Sequence, residues 1–451
     1  MNHPALLIPA TLDLPAPGDC RGWGRLIGAS TALAAAEIAS RIDRPVLVLA
    51  EDPRGADQLE SEIRFFAGDE VDVCHFVEWE TLPWDNFSPH QDIISERLAV
   101  LSRLRHIRRG VIIASAPVLL QRLPPLDYVV ARSIGLRVGQ TLPRSEFVDS
   151  LLAAGYLRVP QVSEHGEFAV RGSLIDLFPM GSKQPIRIDF LDDDIESLRH
   201  FAPETQLSAN VIDSIDVLPA REVPLDADAI RSFRDRYRER FEGQPGRSRV
   251  YRDISDGIAH GGIEYYLPLF FDQTSGLLDY LPANTMLFAP AALDSLLAAQ
   301  WTEIEERFEL CRLDPERPIL STEETFATPA TVLSRLSELP QVRYSAQSVA
   351  DSRETHNLPT RLPPALRIEA RYEDAAGALM RFLRTFDGRV LFTTDSPGRR
   401  EQILELMSGR GLDLSRINSW SEFAHNGHRI GIAIAPLENG VVLPDAGLAI
   451  I

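Results

Sequence analysis

The stretch His165-Gly-Glu-Phe-Ala-Val-Arg-Gly-Ser-Leu-Ile-Asp-Leu-Phe-Pro179, followed by Pro185-Ile-Arg-Ile-Asp-Phe-Leu-Asp-Asp-Asp-Ile-Glu-Ser-Leu-Arg199, decides how this chain is built. Apolar and polar residues alternate through Phe168 to Phe178 and again through Ile186 to Phe190, with Pro-Met-Gly-Ser between the two runs. A period of two marks half-buried strands, so the stretch predicts an antiparallel meander. Arg187 and Asp189 alternate on one strand of it.

Working outward, the pattern changes on both sides. Towards the amino terminus, Ser30 to Arg41 reads as a helix and Val46 to Ala50 as a buried strand. Arg54 to Phe66 is a second helix, Val71 to Phe76 a strand, Ile94 to Arg105 a helix and Gly110 to Ala114 a buried strand. Strands alternating with helices predict a parallel sheet wrapped by helices. The texture shifts near Leu126, and a helix is expected near Ser145 to Ala154. Beyond Leu218 the chain is helical through Ala227 to Phe241, passes the loop GQPGRSR and reaches a strand at Thr285 to Ala289, read as a return to the first domain. Proline-rich stretches at Asp314 to Pro318 and Leu358 to Pro364 read as linkers. Arg371 to Phe386, Val390 to Thr393, Ser396 to Arg410 and Ile430 to Ala435 then alternate helix and strand in a small final unit. The expected division is 1–133, the first part of an α/β domain, 134–218, an inserted α+β domain, 219–352, the remainder of the first, and 353–451, a carboxy-terminal α/β domain.

A length of 451 residues demands several cores. The net charge of −19 opposes capture of nucleic acid by the surface as a whole, so a DNA contact would need a local basic patch. Cys20, Cys74 and Cys311 lie far apart with no CxxC pair, which argues against a zinc set or a disulfide framework. No apolar run approaches the length of a membrane span and the first twenty residues lack a secretory pattern, so a cytoplasmic location is expected.

The place to look for nucleotide chemistry is the loop before the Ser30 helix, since helix amino termini bind phosphates. Gly22-Trp-Gly-Arg-Leu-Ile-Gly-Ala-Ser-Thr31 has the glycines and hydroxyls of a phosphate loop. Ala29, however, sits where GxxxxGK[ST] places its Lys, and the glycine spacing is one residue off. The strand Met286-Leu-Phe288 ends in Ala289-Pro-Ala-Ala292, without the carboxylate that would hold magnesium. Neither half of an ATPase site is present, and no catalytic, cofactor or metal residue is expected. Asp192, Asp193 and Asp194 read as a solvated turn, His75, His90 and His165 as structural, and the loop bearing Trp79, Trp84 and Phe87 as packed on its own domain.

The meander segments resemble the domain shared by the UvrB and transcription-repair coupling factor (Mfd) family. Leu82-Pro-Trp-Asp-Asn-Phe-Ser-Pro-His-Gln-Asp-Ile-Ile-Ser-Glu-Arg97 and Gly262-Ile-Glu-Tyr-Tyr-Leu-Pro-Leu-Phe-Phe271 resemble the coupling-factor version in particular. The resemblance implies a degenerate, helicase-type (RecA-like) first domain. UvrB itself carries a phosphate-loop Lys, an acidic strand end and an aromatic-rich DNA-gripping hairpin. Here those places hold Ala29, Pro290 to Leu293, and a short Tyr-poor segment from Glu78 to Glu96.

What the resemblance leaves is a surface for UvrA. It implies Arg171 and Arg187 as basic contacts, with Asp189, Phe190 and Leu191 beside them, Leu191 standing where relatives carry an aromatic. Two guanidiniums flanked by an apolar anchor suit carboxylate recognition. The bland reading of Arg187 and Asp189 is a solvated sheet face. The implied role is recruitment of nucleotide excision repair to RNA polymerase stalled at a lesion. Relatives continue into a polymerase-binding domain and an ATP-driven translocase on double-stranded DNA, so ATP and magnesium are expected there and the chain reads as a fragment. Two other classes stay open: a UvrB-like ATP-dependent DNA-damage-binding protein, and a DNA-binding module in its own right.

Overall fold

In the computed structural model, which describes residues 6–9, 11–241, 245–364, 366 and 377–451, four strands come first: β1 (Cys20–Gly24), β2 (Pro45–Ala50), β3 (Val73–Phe76) and β4 (Gly110–Ser115). β2 and β4 are buried at every residue, as Val- and Ile-rich strands covered on both faces should be. The chain then leaves this layer for β5 (Ile134–Arg137), β6 (Leu157–Arg158), β7 (Glu167–Arg171), β8 (Leu174–Leu177), β9 (Ile186–Leu191), β10 (Asp194–Phe201), β11 (Ser208–Ile212) and β12 (Ser214–Val217). It returns with β13 (Met286–Pro290), β14 (Gln341–Tyr344) and β15 (Thr355–Asn357), and closes with β16 (Arg389–Thr394), β17 (Ser415–Ile417), β18 (Ile430–Ile434), β19 (Val441–Leu443) and β20 (Leu448–Ile450).

β1 to β4 and β13 to β15 form one parallel sheet in the order β15-β1-β14-β13-β2-β4-β3. β6 to β11 form a second sheet in sequential order, antiparallel except at β6–β7, and β5 pairs with β12 beneath the point of insertion. The last five strands form a third sheet, parallel except at β19–β20. The architecture is the expected α/β one, with an inserted α+β unit and a further small α/β unit.

Strand alternation in the first sheet sorts the cores. Leu47, Leu49, Ile112, Ala114, Leu287 and Ala289 face a core that runs on into the inserted sheet through Phe147, Phe168 and Ile188. Val46, Val48, Val111, Ile113, Met286 and Phe288 face the opposite way, into a core shared with Leu391, Ile417, Trp420 and Ile450 of the last unit. The return from the inserted unit is pinned by a fully buried ion pair. Arg97 Nε donates to Glu222 Oε1 at 2.7 Å while Trp79 Nε1 donates to Oε2 at 2.9 Å, and the guanidinium lies 4.4 Å from the Phe76 ring centroid. Such a pair gives the crossing a single register at the cost of desolvation.

Three sequence expectations change. Gly22-Trp-Gly24 belongs to strand β1 rather than to a loop, hydrogen-bonded between β14 and β15. Its glycines answer to crowding: a Cβ on Gly24 would fall 2.4 Å from Asn357 Oδ1 and 2.8 Å from Gln347 O. Asp314 to Pro318 is no interdomain linker, since the chain beyond it supplies β14 and Arg317 donates to the Trp84 and Asp85 carbonyls. β15 lies past residue 352, where the last unit was expected to start, yet it edges the first sheet. The expected helix from Arg371 falls outside the described residues as far as 376, and its described part is Gly377–Thr385. The start of the GQPGRSR loop, 243–244, is likewise outside them.

Candidate partner-docking face

Ile186, Ile188 and Phe190 of β9 point inward while Arg187, Asp189 and Leu191 point out, the plain consequence of alternation. Cross-strand register then builds an outer face. Arg171 of β7 lies opposite Leu174 of β8, and Leu174 opposite Asp189 of β9. One row along, Ala169, Asp176, Arg187 and Arg199 line up across β7, β8, β9 and β10, and Val211 of β11 completes the row.

The two predicted arginines have different surroundings. Arg171 is exposed and donates to the Pro160 carbonyl at 2.9 Å. Arg187 is committed inside the sheet face: Nε and a terminal nitrogen donate to Asp176 Oδ1 and Oδ2 at 2.7 and 2.9 Å, and its guanidinium lies 5.0 Å from the Phe201 ring centroid. Its remaining nitrogen reaches the Gln206 carbonyl and Ser208 Oγ, both at 3.3 Å. Donation to the Asp176 carboxylate raises the Arg187 pKa. Asp176 is buried, whereas the Arg187 side chain keeps 19% of its surface, so the pair is a half-sealed fork.

Asp189 is half-buried and accepts from Ser173 Oγ at 3.1 Å. Leu191 is 64% exposed at the end of β9, a solvent-facing apolar group of the kind an interface covers. Phe190 must be removed from the set. It is 4% exposed and packs near Phe147, with ring centroids 6.3 Å apart, because a sequence neighbour of Leu191 in a strand points to the opposite side. Sequence reasoning missed Arg199 and Val211, both exposed in the Arg187 row. Only strand register brings them there.

The phosphate cradle of the first sheet is also occupied by protein. It lies at the carboxyl ends of the parallel strands, where α/β sheets place ligands, and encloses a cavity of about 730 Å³. Gly28 there has φ +56°, and a Cβ on it would fall 2.4 Å from the Gly440 carbonyl oxygen. The amide of Ala29, the residue just before the helix Ser30–Arg41, donates to the Asn439 carbonyl at 3.1 Å. The hydroxyls that could face a phosphate turn back: Ser30 Oγ donates to the Ile27 carbonyl at 2.7 Å and Thr31 Oγ1 to Leu26 at 3.5 Å. Gln58 Nε2 donates to the Pro436 carbonyl at 3.0 Å, and the Glu438 amide to Glu62 Oε1 at 3.3 Å. Glu51, Asp52, Glu62 and Glu438 line the cavity against one cation, Arg54. Burial pushes the Glu62 carboxyl up. The strand end Pro290 to Ala292 offers no carboxylate, and the Ala291 amide donates to the Tyr344 carbonyl.

The remaining candidates take local roles. His75 Nδ1 pairs with Glu60 Oε2 at 2.9 Å, and His165 bridges Asp92 at 2.6 Å and the Ser182 carbonyl at 2.8 Å. Trp79 and Trp84 are buried, whereas Phe87 is 69% exposed. Asp194 accepts from Thr141 Oγ1 at 2.6 Å, and Asp193 from the Arg144 amide. Among the described residues no His, Cys, Asp and Glu cluster could hold a metal ion, and no helix is long and apolar enough to cross a membrane.

Comparison with known proteins fits this layout. Residues 134–223 match the UvrB interaction domain family and residues 382–451 the MFD D3 domain family. The chain is similar to the transcription-repair-coupling factor of Escherichia coli, 38% identical over 435 residues, and to that of Haemophilus influenzae, 36% identical over 436. Each alignment covers 96% of the chain and 38% of the relative. The coupling factor of Mycobacterium bovis is 28% identical over 446 residues, covering 92% of the chain and 35% of the relative. The chain thus spans well under half the length of these relatives. Sequence, domain matches and layout together make the chain similar, over nearly its whole length, to one part of the bacterial transcription-repair coupling factors.

Proposed function

We propose that this region recruits UvrA through the outer face of its inserted sheet and does not itself hydrolyse ATP. The observation that carries the reading is the exposed pair Arg171 and Leu191, held on a rigid meander inside the segment similar to the UvrB interaction domain. An exposed guanidinium beside an apolar anchor is the usual composition of a binding centre. Arg187 and Asp189 support the face from within, Arg187 by fixing β8, β9 and the 206–208 turn to one another.

The absence of ATP turnover is supported by Ala29 in place of a phosphate-loop Lys, by the Asn439 carbonyl on the amide a phosphate would need, and by the carboxylates around the cavity. In the intact protein this recruiting step would serve the coupling of transcription to nucleotide excision repair. RNA polymerase, double-stranded DNA, ATP and magnesium would be engaged by regions outside residues 1–451.

Calorimetric titration of the chain with UvrA, and separately with magnesium-ATP with and without duplex DNA, tests both halves. UvrA should bind saturably and millimolar ATP should give no binding heat. Tight magnesium-dependent ATP binding would return the chain to the UvrB-like ATPase reading, and absence of UvrA binding would end the recruiting one.

A further inference from the structure

Arg199 and Val211 sit in the Arg187 row, one and two strands away towards the edge strand β11. Register partners project to the same side of a sheet, so both belong to the face that carries Arg171. Their surroundings separate Arg199 from Arg187. The Arg187 charge is met by Asp176 inside the protein, whereas among the described residues the Arg199 guanidinium makes no hydrogen bond or ion pair. Val211 opposite it is 64% exposed.

We propose that Arg199, flanked by Val211, is a further contact residue of the docking face and meets a carboxylate of the partner protein. This rests on the recruiting function argued above and extends its footprint from β7 towards the sheet edge, with Arg199 three strand spacings, about 14 Å across the strands, and one row along from Arg171. Two guanidiniums without a carboxylate partner among the described residues stand at the two ends, Arg171 held only by the Pro160 carbonyl, with the neutralised Arg187–Asp176 fork between them, and they set the spacing that an acidic partner surface must match. Val211 and Leu191 supply the apolar cover that strengthens such pairs by excluding water. The occupant is an acidic protein surface rather than nucleic acid. A chain of net charge −19 with isolated arginines lacks the dense cation track that phosphates demand.

The test measures UvrA affinity of the whole chain for Arg199→Glu, Arg199→Lys and Val211→Ser, with Arg171→Glu alongside and melting temperature recorded for each. Arg199→Glu should weaken binding by about tenfold or more. Arg199→Lys should lose a few-fold, because it keeps the charge but not the fork. Melting should stay unchanged, since neither side chain is buried; should reversal perturb the sheet, Arg199→Gln gives the same readout without an added charge. If Arg171→Glu weakens binding and no Arg199 variant does, this extension is wrong while recruitment through the face stands. If no variant matters, both are wrong. A loss of duplex DNA binding with UvrA affinity intact would assign Arg199 to nucleic acid and overturn the proposal.

Discussion

Replacing Arg187 by Met removes one charge while keeping the aliphatic stem over Phe201. In the native sheet the fork gives Asp176 two hydrogen bonds, at 2.7 and 2.9 Å, and Asp176 itself is 1% exposed. The variant therefore leaves a carboxylate in the sheet without its cation. Breaking a fully sealed pair in this way costs about 3–5 kcal/mol. Water reaches a fifth of the Arg187 side chain, which screens the pair, so the cost falls below that range, to about 2–3 kcal/mol. Because the chain holds several units, a single unfolding midpoint would blur the effect. Hydrogen exchange of the β8 and β9 amides under mild denaturant reads it locally. Adding Asp176→Asn should restore at least about 1 kcal/mol, since the stranded charge is then gone. A loss below about 0.5 kcal/mol in Arg187→Met, or additive losses in the double variant, would refute the assignment of Arg187 as an internal clamp.

Leu191→Glu should lower UvrA affinity by more than about 1 kcal/mol with melting unchanged, read by calorimetry, because the side chain is exposed and has only the partner to lose. Burial holds the Glu264 carboxyl up at about 7 against an ordinary 4.5, with Ser88 Oγ donating to it at 2.9 Å. The folded chain thus retains a proton that the unfolded chain releases: this contribution to stability is complete below about pH 4.5, falls as pH rises to about 7 and is flat above. Glu264→Gln should remove that slope, gaining up to roughly 3 kcal/mol on the wild type between pH 4.5 and pH 8 in denaturant titrations. An unchanged slope would mean the carboxyl is hydrated. Trp420 is buried with its ring 5.0 Å from Phe66, joining the last unit to the helix Pro53–Ala67 of the first domain. Trp420→Ala should cost about 3–5 kcal/mol and speed exchange of the Ala29 amide by freeing the Asn439 loop. Continued protection of Ala29 would show that the loop docks on its own.

How much of this was legible in the sequence follows from the range of each interaction. The meander was readable because Ile186, Ile188 and Phe190 alternate with Arg187, Asp189 and Leu191 within one strand. The same alternation should have excluded Phe190 from the outer face, and only the family pattern drew it in. β1 was hidden because Cys20-Arg-Gly-Trp-Gly24 lacks an apolar run, and its strand character comes from β14 and β15, more than 300 residues on. The Asn439 loop in the cradle and the Arg199 row were equally out of reach. Loop docking and strand register depend on the assembled fold, and no local spacing encodes them. Ala29 and the Pro290 strand end were legible, since a missing Lys and a missing carboxylate are facts of composition at a fixed place.

The most direct measurement of the central claim is a hydrogen-exchange footprint of the whole chain with and without UvrA. Protection should appear at the turns flanking the outer face, Gly172 to Leu174 and Leu191 to Asp194, and along β11, with the loop at Leu82 to Phe87 and the Ala29 cradle unchanged. Protection confined to that loop or to the cradle, with the inserted sheet untouched, would contradict it.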